Sequence, residues 1–88
     1  GQTPIDYACK NGHLEVVKFL IEKNTDINKV DNYGQTSLHY ACLNGHLEVV
    51  KSLIEKNADI NKVDNYGQTL FYAASYGGHL EVVKFLIE

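Results

Sequence analysis

The chain has 88 residues, with 11 acidic side chains against eight basic ones, a formal charge of −3 and a pI near 5.7. All eight basic residues are lysine. The side chain best suited to bidentate phosphate or guanine recognition is therefore missing, and the acidic balance argues against a nucleic-acid binder. No apolar run is long enough to span a bilayer, no signal-peptide pattern opens the sequence and no Asn-x-Ser/Thr acceptor occurs. These features predict an intracellular, cytoplasmic chain without membrane insertion.

The sequence repeats every 33 residues. DNYGQT stands at 31–36 and returns at 64–69, and HLEVVK stands at 13–18, 46–51 and 79–84. Laying 1–33 over 34–66 leaves only six mismatched pairs, at 4/37, 5/38, 6/39, 10/43, 19/52 and 25/58. A fixed period in the range of about 20–50 residues marks a stacked repeat array, in which each unit touches only its neighbours. The units are 1–33, 34–66 and a partial 67–88, forming a single array over 1–88. This array is expected to be a fragment of a longer one.

Each unit divides into two short helices and a long turn. In the first unit, Thr3 is the expected N-cap, Pro4 suits the first helical turn, and Asp6 can reach back in a capping box. In the second unit, Thr36 begins a helix carrying Leu38, Tyr40, Ala41 and Cys42, and Asn44-Gly45 stops it, glycine supplying the left-handed backbone that helix ends require. The next helix opens at His46-Leu47-Glu48 and runs to about Lys56. Its residues Leu47, Val49, Val50, Leu53 and Ile54 form an apolar surface too wide for one partner, so neighbours are expected on more than one side. Asn57, like Asn24, falls where a left-handed residue is wanted. The Asp- and Asn-rich stretch 58–68 predicts a projecting turn or loose hairpin. In the third unit the first helix, at residues 70–77, departs most from its counterparts, and the second carries Val82, Val83, Leu86 and Ile87, expected to be partly uncovered. The charged edge of the second helices, with Glu15, Lys18, Glu48, Lys51, Glu81 and Lys84, is expected to be a solvated face.

Cys9 and Cys42 are equivalent positions. Stacked helices lie roughly 8–10 Å apart, whereas a disulfide needs Cα atoms within about 7 Å, so both are read as buried free thiols. The pairs Cys9-x-x-x-His13 and Cys42-x-x-x-His46 resemble metal ligands only superficially. A structural zinc site needs four ligands at about 2.0–2.3 Å, and the repeat spacing holds these apart. His13, His46 and His79 are read instead as helix-start residues that hydrogen-bond between units. Ser37, Ser52 and Ser75 lack an aligned base, and no phosphate loop occurs. The residues predict neither an enzyme nor a cofactor.

The segments Thr3-Pro4-Ile5-Asp6-Tyr7-Ala8, Thr36-Ser37-Leu38-His39-Tyr40-Ala41 and Thr69-Leu70-Phe71-Tyr72-Ala73-Ala74 follow the T-P-L-H-x-A pattern at constant period. On these residues the chain resembles the ankyrin repeat family over its whole length. The resemblance implies an all-α repeat solenoid, an ankyrin-type stack of helix-turn-helix units joined by β-turn or hairpin loops. It also implies that the signature histidine bonds the threonine hydroxyl and an adjacent turn. Only His39 retains it; Asp6 and Tyr72 stand at the equivalent positions. The function implied is a protein–protein interaction module of unknown partner, contacting it through turn tips and the concave first-helix surface. The alternative is a regulatory or targeting segment of a larger enzyme or effector whose catalytic domain lies outside this chain. Carried over by position, the partner-binding residues are Asn32, Tyr33 and Gln35 at one tip, and Asn65, Tyr66 and Gln68 at the next. Lys10, Asn11, Leu43, Asn44 and Tyr76 come from the helices. End-to-end self-association is a further expectation from the uncovered terminal helices. Finally, Asn28 and Asn61 resemble ankyrin asparagines hydroxylated in some intracellular proteins, while their residue chemistry points to tying the turns through backbone hydrogen bonds.

Overall fold

The computed structural model describes residues 2–23 and 26–88. Six helices appear among the described residues: α1 (Pro4–Lys10), α2 (Leu14–Glu22), α3 (Ser37–Leu43), α4 (Leu47–Glu55), α5 (Leu70–Tyr76) and α6 (Leu80–Ile87). No strand occurs among the described residues. Isolated helices shorter than about 12–15 residues are marginal in water, so packing and caps must hold these.

The caps follow from the threonines. The hydroxyls of Thr3, Thr36 and Thr69 accept from the backbone N–H of Asp6, His39 and Tyr72 at 3.4, 3.4 and 3.1 Å. In the first two units the bond is reciprocated. Asp6 Oδ2 accepts from the Thr3 N–H at 3.0 Å, and His39 Nδ1 from the Thr36 N–H at 3.2 Å. The tyrosine at 72 offers no such acceptor near its backbone, and the third cap is one-sided. Gly45 (φ 73°) and Asn57 (φ 70°) take the left-handed conformation predicted for them; Asn24 lies outside the described residues.

The helices form two rows, α1, α3 and α5 in one and α2, α4 and α6 in the other. Equivalent side chains show which way each face points. Val16 is 50% exposed, whereas Val49 and Val82 are 1% exposed, so this position is covered by the preceding unit. Val17 and Val50 are buried while Val83 is only half-buried, so the next position along is covered by the following unit. Val82 thus corrects the expectation of partial exposure: it faces back onto the second unit. Ile87 is exposed and Val83 and Leu86 are half-buried, as expected, and Leu80 adds a further exposed side chain at that end.

Histidines tie the units together. His46 Nε2 donates to the Lys10 carbonyl at 3.0 Å, and His79 Nε2 to the Leu43 carbonyl at 2.8 Å. Ser37 adds a bond from its hydroxyl to Asp6 Oδ1 at 2.7 Å. Cys9 and Cys42 are buried free thiols, and burial pushes each up to about 12.

Candidate partner-binding surface

Each turn tip is built around one buried aspartate. Asp31 Oδ1 accepts from the N–H groups of Tyr33 and Gln35 at 2.9 and 3.0 Å, and Asp64 Oδ1 from those of Tyr66 and Gln68 at 2.9 and 2.8 Å. These bonds close the turn and turn Tyr33 and Tyr66 outward into solvent. Burial raises the pKa of both carboxyls. The bonds outweigh it, from the Tyr40 hydroxyl and the turn N–H groups at Asp31, and from the turn N–H groups and Gln35 at Asp64, leaving both below the usual range.

The second oxygen of each aspartate distinguishes the tips. Asp31 Oδ2 accepts from the buried Tyr40 hydroxyl. Tyr40 has Ala73 as its counterpart in the third unit, so Asp64 Oδ2 instead accepts from Gln35 Nε2 at 3.3 Å. Losing the ring at 73 leaves space. A groove of about 400 Å³ opens there, lined by Gln35, Leu43, Tyr66, Gln68, Tyr72, Ala73 and Tyr76. Tyr66 and Tyr76 are 72% and 76% exposed, so the groove walls are large aromatic surfaces facing water.

Five of the eleven residues read from the sequence therefore meet in one groove: Gln35, Leu43, Tyr66, Gln68 and Tyr76. The other six lie outside its lining. Tyr33 is exposed on the first tip, and Lys10 reaches over the Tyr40 ring with Nζ 5.6 Å from the centroid. Asn11 and Asn44 donate their amides to the carbonyls of Tyr7 and Tyr40 at 2.9 and 3.1 Å, closing α1 and α3. Asn65 donates through its side chain to the Asn32 carbonyl at 2.9 Å and through its backbone to the Tyr33 carbonyl, splinting one tip to the next. Asn28 splints likewise, its Oδ1 accepting from the Asp59 N–H at 2.8 Å, in keeping with the turn-tying role.

Of the two lining residues that sequence reasoning missed, Ala73 is buried and Tyr72 is exposed. In the sequence Tyr72 stands only as the counterpart of the signature histidine, yet its ring is exposed and stacks on Tyr76, with centroids 6.2 Å apart and planes inclined by 12°. The signal was the spacing of four between two tyrosines on one helix. His39, by contrast, is buried, with Nδ1 3.0 Å from the Thr36 hydroxyl.

Among the described residues, no group of three His, Cys, Asp or Glu side chains could hold a metal ion, and no helix is long and apolar enough to cross a membrane. A family model of ankyrin repeats, in three copies, matches residues 7–88. The chain belongs to the ankyrin repeat family. Ankyrin repeats are in general protein–protein interaction modules and typically carry no catalysis. Within the ankyrin frame, the signature histidine survives only in the central unit, where it is flanked on both sides and buried.

Proposed function

We propose that this ankyrin array binds a protein partner through the tyrosine groove between α3, α5 and the second turn tip. The observation that carries the reading is the exposed Tyr66, Tyr72 and Tyr76 beside half-buried Leu43, with the amides of Gln35 and Gln68 at the rim. Tyrosine gives an interface a large rigid surface at low entropic cost, and an aromatic centre within a polar border is the usual layout of a binding hot spot. Tyr33 and Asn32 extend the surface along the first tip, Asn65 joins that tip to the second, and Lys10, Asn11 and Asn44 lie at the helix ends. The second-helix edge supports the contrast. Lys51–Glu48 and Lys84–Glu81 pair there at 3.7 and 3.8 Å with both partners solvated, and such pairs contribute about 0–1 kcal/mol.

Tyr66→Ala combined with Tyr76→Ala is expected to weaken partner binding at least about tenfold, or 1.4 kcal/mol, at nearly unchanged folding stability. Glu48→Ala with Glu81→Ala leaves affinity within about twofold. Titration calorimetry reads both, and the reverse ranking contradicts the reading.

Self-association end to end is favoured by a separate observation. Leu80 and Ile87 are exposed on one end of the stack, and Val16 and Phe19 on the other. Inside the stack, the counterparts of the first pair, Leu47 and Ile54, face the following unit, while Val49 and Val82, the counterparts of Val16, face the preceding one. A second copy therefore offers the surface that each end fits.

A further inference from the structure

Phe19, Ser52 and Phe85 occupy one position of the second helices. Between α4 and α6 the position is filled. Phe85 packs against the core, half-buried, and Lys51 Nζ lies 5.6 Å from its ring centroid. Between α2 and α4 the position is held by Ser52, and there the structure has a groove of about 390 Å³, lined by Lys18, Ile21, Glu22, Ser52, Glu55 and Lys56. Lys18, Ile21 and Glu22 are the counterparts of Lys51, Ile54 and Glu55 beside Phe85, so on that wall the lining is the same in both places. What differs is the ring.

We infer that the α2–α4 groove docks a neutral aromatic side chain presented by a protein partner, seated as Phe85 is seated one unit further on. The fold itself supplies the template for the occupant: one apolar wall from Ile21, an ammonium from Lys18 to lie over the ring face, and a serine too short to fill the space. A lysine over an aromatic face is favourable even at exposed sites. Two lysines and two glutamates line the groove, so its charge is balanced and favours neither an anion nor a cation. This site lies on the second-helix row, apart from the tyrosine groove, and an array using both would grip its partner from two sides.

The test is a heteronuclear NMR titration of the 88-residue chain with N-acetyl-phenylalaninamide, with N-acetyl-leucinamide as the aliphatic control. Saturable shifts at Ile21 and Ser52 with the aromatic amide alone are expected. Ser52→Phe fills the groove from within and should weaken binding there at least about tenfold, while retaining or raising the unfolding midpoint, since phenylalanine is the residue in both other units. Ser52→Ile serves as a second filling variant if the first folds poorly. Lys18→Ala, which keeps the space and removes the ammonium, should weaken binding about two- to fivefold. No saturable shift at Ile21 and Ser52, equal shifts with the leucine amide, or unaltered binding in both filling variants would each overturn the inference.

Discussion

His39 lies buried in the central unit, with Nδ1 bound to Thr36. Burial drives its pKa below the ordinary 6.5, against the opposing pull of the Gln68 and Lys62 backbone and the carboxylates of Asp64 and Asp31. The folded chain thus holds a neutral ring, while the unfolded chain takes up a proton as pH falls through 6.5. A lowered histidine pKa means stability that is fully present above the unfolded value and is lost as pH falls towards the folded one. Asp31 and Asp64, also lowered, act in the same direction at lower pH: their contribution is present above 3.8 and lost below it. Urea midpoints should therefore fall between about pH 7 and about pH 5, and His39→Gln should be less stable at neutral pH but flatter across that window. Parallel curves for the two proteins would remove His39 from the account.

The element that joins the two rows of helices is a three-residue turn, of which Asn44, Gly45 and His46 are the central example. Gly45 sits at φ 73°, and a Cβ there would run into the His79 ring. Gly78 has nearly the same backbone, φ 72°, but a Cβ would meet nothing within 4 Å. The comparison separates conformational strain from crowding. Gly78→Ala is expected to cost about 1–2 kcal/mol from the left-handed backbone alone. Gly45→Ala adds the loss of the bond from His79 to the Leu43 carbonyl, about 0.5–1.5 kcal/mol more, so urea unfolding should rank it clearly worse. Equal costs would mean that the ring moves freely. At this scale the sequence was a good guide, because caps, stops and apolar spacing are local: Thr36, Gly45, Asn57 and the bounds of α4 fell where residue chemistry put them. The grooves were harder to read. Ala73 opposite Tyr40 and Ser52 opposite Phe19 and Phe85 were visible as mismatches, but a small residue in place of a large one can collapse or leave a space. Only the packed structure decides between those outcomes. Tyr72 was missed for a related reason: its position has a family role, and a changed side chain there is free to take another.

In the whole molecule the units form a stack with extents of 30 × 25 × 20 Å, held by the same apolar seam at each junction. Full burial of an aliphatic side chain contributes roughly 1.5–3 kcal/mol, so the exposed Leu80 and Ile87 and the exposed Val16 and Phe19 are sizeable losses. Head-to-tail association recovers part of them, and such a contact does not close on itself, so oligomers should grow with concentration rather than stop at a dimer. Light scattering on the 88-residue chain should give a mass that rises with concentration, and Leu80→Lys with Ile87→Lys should hold it at one chain. A constant monomer mass for the unaltered protein would contradict the end-to-end reading. The partner-binding face is the central claim, and it can be tested before a partner is purified. A benzophenone amino acid is placed at position 66 or at position 81, which lies outside both grooves, and photocrosslinking is carried out in cell extract with the unlabelled protein as competitor. A crosslinked product is expected from position 66 that saturates, is competed away, and is lost when Tyr76→Ala is added, with none from position 81. A saturable, competed product from position 81 alone would contradict it.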